Sequence, residues 1–250
     1  MNILALDTSM GACSAAVLRT NAGTRGLFAR QEEMARGHAE ALMPMVAEVM
    51  QQAGLAFPDL DLIAATVGPG SFTGVRIAIA AARGLALATR AKLYGTDSVT
   101  VMAKDALAAG AWEPQPFAVA VWITRDLLFL QWMNLLQGGR PLRRGMLYLG
   151  LYDAAGRRLE GPLLIAPEEA VAVLPGDLNR AVGSGAALLA ESGARAGRPL
   201  EARLLELQPS AAALAEIALE SGEIFAVLRP LYLRPPDARP QPQMVATSRQ

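Results

Sequence analysis

Apolar residues recur along the first third of the chain at two different spacings, one typical of strands and one typical of helices. Three short segments separated by turn residues have the pattern of a strand meander, and the first two are mainly apolar. These segments are Met1–Asp7, Cys13–Leu18 and about Gly26–Glu33. The next apolar positions follow helical spacing, so the pattern predicts a helix from His38 to Ala53.

A second set of strands and helices follows. The apolar run Leu60–Val67 leads into a glycine-rich turn, and an alanine-rich helical pattern leads out of it, from about Ser71 to Ala88. A short strand at Lys92–Gly95 comes next, and then a helix at Ser98–Ala109 with Ser98 as its N-cap. An order that begins with three strands, a helix, a strand and a helix predicts an α/β protein.

The composition changes at Trp112–Pro116, a polar segment with two prolines that we take as a domain boundary. The strands predicted beyond it are Phe117–Val121, Met146–Tyr152, Leu159–Ile165, Arg180–Val182 and Arg203–Leu207. The helices predicted there are Pro167–Leu174, a segment ending at Ser192, and Ser210–Ser221. These assignments divide the chain into residues 1–111, residues 117–228 and a proline-rich tail, residues 229–250.

The composition is that of a globular protein with balanced charge. Of the 250 residues, 52% are hydrophobic and 18% are charged, and 23 basic residues match 23 acidic ones. A protein that grips RNA by itself usually has a basic surface, so this balance argues against primary RNA binding. The lone Cys13 fits a reducing compartment, and neither a signal peptide nor a membrane-length apolar run is evident. We therefore expect a cytoplasmic protein without a membrane segment.

The turn Gly68-Pro69-Gly70 and the helix start after it form the most distinctive motif. Glycines in such a turn leave backbone N–H groups free, and Ser71 and Thr73 can cap the helix. A helix N-terminus of this kind suits an anion, either a phosphate or an acidic partner. A strand–helix turn that merely requires glycine accounts for the same residues, and both interpretations stay open.

Three segments together resemble the TsaB (YeaZ) family. They are GPGSFTGVRI at Gly68–Ile77, NILALDTS at Asn2–Ser9 and PLYLRPP at Pro230–Pro236. The resemblance implies an α/β fold of two actin-like (ribonuclease H-like) halves, each a mixed sheet with flanking helices, with the second half reduced. It also implies a role beside TsaD in making N6-threonylcarbamoyladenosine next to the tRNA anticodon.

Metal-dependent catalysis finds little support in the residues. The chain has one histidine, His38, whereas a catalytic zinc or iron site normally needs about three protein ligands. TsaD relatives carry a pair of metal-binding histidines on the helix that matches Ser98–Ala109, and this sequence lacks the pair. We therefore expect a non-catalytic scaffolding subunit. The alternatives are an independent ATP-dependent transferase or kinase of the actin-like superfamily, or an M22-type glycoprotease.

Two segments match places where actin-like ATPases hold a nucleotide. Asp7, at the end of the first strand, could hold hydrated magnesium, with Thr8 and Ser9 near the phosphates. Gly183 and Gly185 resemble a worn form of the loop that holds adenosine in that superfamily. Because Asp, Thr and Ser also form ordinary turns, nucleotide contact and a simple turn both stay open. We expect no cofactor for the chain alone, and ATP or ADP with magnesium only in a complex.

The alanine-rich helix is a candidate interaction surface. Small side chains along it would let another helix approach closely, although they also suit packing within the chain. The resemblance implies self-association, or pairing with TsaD, through this helix and the preceding one. We therefore predict a homodimer when the chain is alone, TsaD and TsaE homologues as partners, and only indirect contact with tRNA. The predicted signature and interface residues are Gly68, Gly70, Ser71, Thr73, Gly74, Arg76, Ala78 and Ala82.

The chain departs from the family pattern after the strand at Phe117–Val121. Residues 122–142 displace an expected short turn, and their apolar part, Leu127–Leu136, is too short to span a membrane. One interpretation is a helical insertion, capped by Thr124 and ended by Gly138-Gly139, that covers a hydrophobic patch or a partner. The other is a segment with a local packing role, which we favour because an apolar stripe more often packs within its own chain.

Overall fold

The computed structural model describes residues 1–21, 24–110, 114–123, 145–225 and 227–233. Residues 124–142 of the predicted insertion and residues 234–250 of the predicted tail lie outside these ranges. Within the described residues the backbone forms two mixed sheets of five strands each, with helices on their faces. This arrangement confirms the predicted α/β class.

The first sheet is built from the first 96 residues. Its strands are β1 (Asn2–Asp7), β2 (Ala12–Asn21), β3 (Thr24–Glu33), β4 (Leu62–Thr66) and β5 (Lys92–Thr96). The first three pair antiparallel, and β4 and β5 then add in parallel to β1, which gives the order β3-β2-β1-β4-β5. The central strands β1 and β4 are buried along almost their whole length, because helices cover both faces of the sheet.

Three helices accompany this sheet. They are α1 (His38–Ala53), α2 (Phe72–Thr89) and α3 (Ser98–Ala108), and a 3-10 turn at Phe57–Asp59 lies between α1 and β4. The observed bounds of α1 are those predicted from its helical spacing. Asp97 rather than Ser98 is the N-cap of α3, because the Asp97 carboxylate accepts from the backbone N–H of Thr100 at 2.9 Å.

The second sheet repeats the topology of the first. Its strands are β6 (Phe117–Trp122), β7 (Leu147–Tyr152), β8 (Arg158–Ile165), β9 (Arg180–Val182) and β10 (Glu201–Arg203). They lie in the order β10-β9-β6-β7-β8, again with an antiparallel meander and two added parallel strands. Its helices are α4 (Pro167–Val173), α5 (Ala186–Arg195) and α6 (Ala211–Ser221).

The predicted bounds of the last strand are wrong. The strand was expected at Arg203–Leu207, but β10 occupies Glu201–Arg203, and the chain turns immediately afterwards with Leu204 at φ 49°. A three-residue strand beside β9 is too short to produce a detectable alternation of apolar and polar residues. The predicted cap of α6 is confirmed, because the Ser210 hydroxyl accepts from the N–H of Ala213 at 3.0 Å.

The third helix of each half packs on the sheet of the other half. Helix α6 covers the face of the first sheet that carries Ile3, Ala5 and Leu62, where Leu214 is completely buried. Helix α3 supplies Met102 to a core formed with Phe117 and Tyr152 of the second sheet. The two halves therefore share cores across the boundary that the sequence predicted near residues 112–116, although α6 was assigned to the second domain.

Helix α2 is the one helix among the described residues whose length and composition would allow it to cross a membrane. It has 18 residues and a mean hydropathy of 1.3. Core helices of globular proteins meet the same criteria, and α2 packs Val75, Ile79 and Ala82 against the first sheet.

Candidate functional site

The carboxylate of Asp7, at the carboxyl end of β1, is completely buried. Its Oδ2 accepts from the hydroxyls of Thr66 and Ser9, the latter at 2.8 Å, and its Oδ1 accepts from the N–H of Ser9 at 3.2 Å. Every one of these partners belongs to the chain itself. In this geometry the side chain fastens β1 to the end of β4 and is not accessible to a magnesium ion.

Burial changes the acidity of this carboxyl. Loss of hydration raises the pKa of Asp7 from 3.8 to about 6, although the hydrogen bonds from Thr66 and Ser9 lower it in part. Burial also raises the pKa of Asp105 on α3, which accepts from the N–H and hydroxyl of Ser210 at 3.0 and 2.6 Å. The fully buried carboxyl of Asp7 and the partly buried carboxyl of Asp105 thus both act as structural acceptors.

The hydroxyl of Thr8 is inserted into the backbone of α2. It donates to the carbonyl of Gly74 at 2.6 Å and accepts from the N–H of Ala78 at 3.1 Å. Gly74 is required at this point, because a Cβ atom there would overlap the carbonyl oxygen of Thr8. Thr8 therefore holds the first turns of α2 against the turn that follows β1.

Ser9 fixes the other side of the same helix start. Its carbonyl accepts from the N–H of Ser71 at 2.7 Å, and a Cβ atom on Gly70 would overlap that carbonyl. The hydroxyl of Ser71 caps α2 by accepting from the N–H of Gly74 at 3.2 Å, whereas Thr73 is exposed and lies within the helix. The strand–helix turn thus accounts for the glycines at positions 70 and 74, and the geometry favours it over a phosphate cradle.

The backbone N–H groups of the glycine turn in the second half also bind carbonyls of the chain itself. Gly183 has φ 93°, which an L side chain rarely adopts, and its N–H donates to the carbonyl of Leu204 at 3.2 Å. The N–H of Gly185 donates to the carbonyl of Ala120 at 2.9 Å, and a Cβ atom on Gly185 would overlap Leu147. These two N–H groups are not free for an adenosine, so nucleotide contact by Gly183 and Gly185 stays a prediction that the contacts do not favour.

A cleft of about 930 Å³ lies between the two halves and brings the predicted segments together. Ser9, Gly70, Ser71, Thr73 and Gly74 line one wall, and Ser184, Trp122 and Tyr148 line the other. The side chains of Asp7 and Thr8 lie behind the first wall rather than in it. The cleft therefore brings Ser9 and the glycine turn to its wall, whereas Asp7 and Thr8, expected at magnesium and phosphate, lie behind that wall.

The single histidine and the single cysteine have local roles. Nε2 of His38 lies 3.0 Å from the carbonyl of Met10 and donates to it, which ties the start of α1 to the turn after β1. Cys13 is buried, and burial raises the pKa of its thiol to about 11. Within the described ranges, no group of three His, Cys, Asp or Glu side chains could hold a metal ion.

An exposed aromatic and cationic cluster lies at the start of α2. Phe72 and Tyr232 stack with ring centroids 5.7 Å apart, and the Arg76 guanidinium carbon lies 3.7 Å from the centroid of the Phe72 ring. Nε of Arg76 donates to the Tyr232 hydroxyl at 2.8 Å. Arg76 was predicted as a site residue, whereas Phe72 and Tyr232 were not, although both lie in segments that carried the family resemblance.

Tyr232 is held in place by the segment that precedes it. The N–H of Phe225 donates to the carbonyl of Leu93 at the edge of β5, and the N–H of Leu231 donates to the carbonyl of Val67 at 2.6 Å. Leu228 is buried beside Gly95, where a Cβ atom would overlap it. This segment therefore runs along the open edge of the first sheet to the turn before α2.

The structure corrects the assignment of Ala78 and Ala82 to a partner surface. Both side chains are fully buried within the chain and pack on the first sheet. The exposed positions of α2 are instead Phe72, Thr73, Arg76, Ala80, Arg83, Gly84, Leu87 and Ala88. Alanine spacing cannot distinguish these two faces, because small residues suit both a sheet contact and a helix contact.

Comparison with known proteins shows similarity to proteins of tRNA threonylcarbamoyladenosine biosynthesis. A family model described as TsaD, tRNA N6-adenosine threonylcarbamoyltransferase, matches residues 30–123. The TsaB protein of Escherichia coli, named for tRNA threonylcarbamoyladenosine biosynthesis, is 40% identical over 112 residues, which are 45% of this chain and 45% of that protein. The TsaB protein of Buchnera aphidicola from Schizaphis graminum is 33% identical over 104 residues, 42% of this chain and 48% of its own length.

A solved structure extends the similarity over nearly the whole chain. YeaZ from Pseudomonas aeruginosa covers 92% of this chain and 100% of its own, with a TM-score of 0.71 and 28% identity. Together these similarities support assignment of the chain to the TsaB (YeaZ) family. Because the sequence matches span only about half the length of the curated TsaB relatives, the role of the whole protein is a matter of proposal.

The TsaB assignment agrees with the fold in two respects. The two mixed sheets with flanking helices have the two-lobed, actin-like architecture that the resemblance implied. The match to the TsaD family model runs from the end of β3 through α1, β4, α2, β5 and α3 to β6, and so includes the glycine turn. The best-matched part of the chain is thus also the part that carries the cleft wall and the exposed face of α2.

Proposed function

We propose that this protein is a non-catalytic scaffolding subunit in the formation of N6-threonylcarbamoyladenosine next to the tRNA anticodon. It pairs with a TsaD homologue and acts together with the ATPase TsaE. The observation that carries this proposal is the use of the turn at Asp7, Thr8 and Ser9. In this chain the turn anchors helix α2. Residues that the resemblance associates with ligand binding therefore serve to position the exposed side of that helix.

When the assembly uses a nucleotide, the partner subunits provide most of its binding contacts. Asp7 is completely buried, and the N–H groups of Gly183 and Gly185 already donate to carbonyls of the chain. The chain by itself accordingly needs no cofactor, while ATP or ADP with magnesium belongs to the complex. Contact with tRNA is indirect, in keeping with a formal net charge of zero.

The pairing surface comprises the exposed sides of α1 and α2. Met43, Pro44 and Ala47 are exposed on α1, and Ala80, Arg83 and Leu87 are exposed on the adjacent α2. In the absence of its partner, the chain uses the same surface to form a homodimer. We assign the protein to the cytoplasm, where we expect the tRNA modification to take place.

Reconstitution tests this role directly. The purified chain, a TsaD homologue and a TsaE homologue are assayed singly and together for threonylcarbamoyl transfer to tRNA. The proposal expects no transfer by the chain alone and transfer that depends on it when the others are present. Transfer by the pure chain would favour the transferase alternative, and full transfer without the chain would remove the scaffold role.

A further inference from the structure

Asp97 links the two halves of the protein. It follows β5 of the first sheet and caps α3, and its side chain is only 6% exposed. Its carboxylate accepts from the N–H and the hydroxyl of Thr100, each at 2.9 Å, and from the guanidinium of Arg158 on β8 at 2.5 Å. One nearly buried carboxylate is thus shared between a helix of the first half and a strand of the second.

The hydroxyl of Thr100 extends this contact to another residue of the second half. Because it donates its own proton to Asp97, it accepts the proton of the Tyr152 hydroxyl, 3.0 Å away. Tyr152 is completely buried and stacks on Phe117 with ring centroids 5.7 Å apart. Burial raises the pKa of Tyr152, so its hydroxyl stays protonated and remains a donor. We call Asp97, Thr100, Tyr152 and Arg158 the Asp97 network.

Ser98, the residue after Asp97, connects the same network to the glycine turn. Its N–H donates to the carbonyl of Gly68 at 2.9 Å, and its hydroxyl donates to the carbonyl of Pro69. Ser98 itself is completely buried. The turn before α2, which forms part of one wall of the cleft, is therefore connected through two adjacent residues to β7 and β8, strands of the half that forms the other wall.

Apolar contacts of α3 add to these polar ones. Leu107, near the end of α3, lies where a Cβ atom on Gly156 would be, in the turn between β7 and β8, and Met102 lies beside Gly183. Proteins with two lobes around a cleft commonly close on a ligand by rotation about a hinge. Here such a rotation would have to break the hydrogen bonds of the Asp97 network and separate these apolar contacts at the same time.

We infer that the Asp97 network locks the two halves at a fixed angle, so that the cleft keeps its width when a nucleotide is offered. A buried ion pair gains little net stability, because desolvation offsets much of its Coulombic attraction, but its geometry is specific. Asp97 and Arg158 are therefore positioning residues, which set the second sheet relative to the first. This lock is a property of the chain alone and does not depend on the proposed partners.

The test measures the width of the cleft. Spin labels are attached at Glu40→Cys, on the first turn of α1 in one wall, and at Ala187→Cys, an exposed position on the first turn of α5 beside the other wall, with the buried Cys13 replaced by Ala. Labelled chain is diluted with unlabelled chain, so that double electron–electron resonance reports distances within one chain. The labelled chain with an intact Asp97 network should give one narrow distance distribution, and millimolar magnesium ATP should leave its mean unchanged.

Variants of the network show whether it causes this fixed width. Arg158→Gln and Asp97→Asn should each broaden the distribution about twofold or shift its mean, because the halves lose their ion pair. Arg158→Lys keeps a cation within reach of Asp97 and should give the narrow distribution again. Arg157→Gln is the matched control, because it changes a neighbouring arginine that is 83% exposed in its pair with Asp153, and it should leave the distribution unchanged. Thermal melts establish that every variant is folded at the temperature of the measurement.

Two results would overturn the lock. A mean distance that changes with magnesium ATP while the Asp97 network is intact would show that the cleft closes. Unchanged distributions in both Arg158→Gln and Asp97→Asn would show that the packing of α3 and α6, rather than the Asp97 network, sets the angle between the halves.

Discussion

The hydroxyl of Thr8 bridges a carbonyl and an N–H of helix α2, and its own carbonyl occupies the space where Gly74 lacks a side chain. The end of a strand and the start of a helix are thereby joined by hydrogen bonds of the chain itself. The resemblance implies that actin-like ATPases use the corresponding residues near a nucleotide. In this chain they stabilise the position of an exposed helix.

Substitution of the two helical glycines tests this contact. Gly74→Ala should lower the free energy of unfolding by about 1–3 kcal/mol, because the new methyl group overlaps the Thr8 carbonyl. Gly84→Ala, in the same helix, should be neutral or stabilise by up to about 1 kcal/mol, because its site is open and alanine favours a helix. Urea unfolding of both variants gives the comparison. Equal effects at the two positions would contradict the proposed close approach at Gly74.

The buried carboxyl of Asp7 should make stability depend on pH. Its pKa is raised from 3.8 to about 6 in the folded protein, so the folded state holds a proton that the unfolded state has released. Between these values the contribution of Asp7 to stability therefore falls as pH rises, by roughly 3 kcal/mol in total. Asp7→Asn should remove this dependence.

The measurement is the difference in unfolding free energy between Asp7→Asn and wild type at several pH values from 4 to 7.5. That difference should move in favour of the variant as pH rises. Asp177→Asn, which changes an exposed carboxyl of the second half, serves as the control for the general effect of replacing Asp by Asn. A difference for Asp7→Asn that is constant with pH would show that this carboxyl does not titrate in the range.

Much of the fold follows from local patterns, and the exceptions have a common cause. The bounds of α1 and the cap at Ser210 follow from helical spacing and from a side-chain hydrogen bond within a few residues. The placement of α6 on the first sheet does not, because it depends on contacts such as Ser14 with Ala211, 197 residues apart. Local sequence patterns contain no information about such pairs.

The same limit applies to the site. The motif around Gly68 and Gly74 marks a tight strand–helix turn, but the identity of the group that fills it is decided by Thr8 and Ser9, which are distant in sequence. The cluster at Arg76 needs Tyr232, 156 residues away, to become visible. Ala78 and Ala80 are indistinguishable as letters, yet one is buried and the other exposed.

A contact between the halves gives a further prediction. Arg158 on β8 donates to the Asp97 carboxylate at 2.5 Å, and the Asp97 side chain is only 6% exposed. Arg158→Gln should therefore cost about 1–3 kcal/mol, because it leaves a mostly buried carboxylate without its cation. The neighbouring Arg157 pairs with Asp153 while 83% exposed, so Arg157→Gln should cost much less, because solvent screens an exposed ion pair. Thermal melts of the two variants should differ clearly, and indistinguishable melts would argue against a stabilising role for the Asp97 pair.

The two faces of α2 can be separated by placing one side chain at two neighbouring positions. Ala78→Arg inserts a long cation where the methyl is fully buried against the first sheet, and overpacking together with an unpaired charge should cost more than about 3 kcal/mol. Ala80→Arg places the same group at an exposed position of the helix, where the fold should tolerate it with little change in melting temperature.

If the exposed side of α2 is the pairing surface, Ala80→Arg should nevertheless weaken binding to the TsaD homologue, because bulk there prevents close helix approach. Light scattering and a thermal melt on each variant distinguish these effects. A folded Ala78→Arg protein with wild-type stability would contradict the core position of Ala78, and a folded Ala80→Arg protein with undiminished binding would move the pairing surface away from α2.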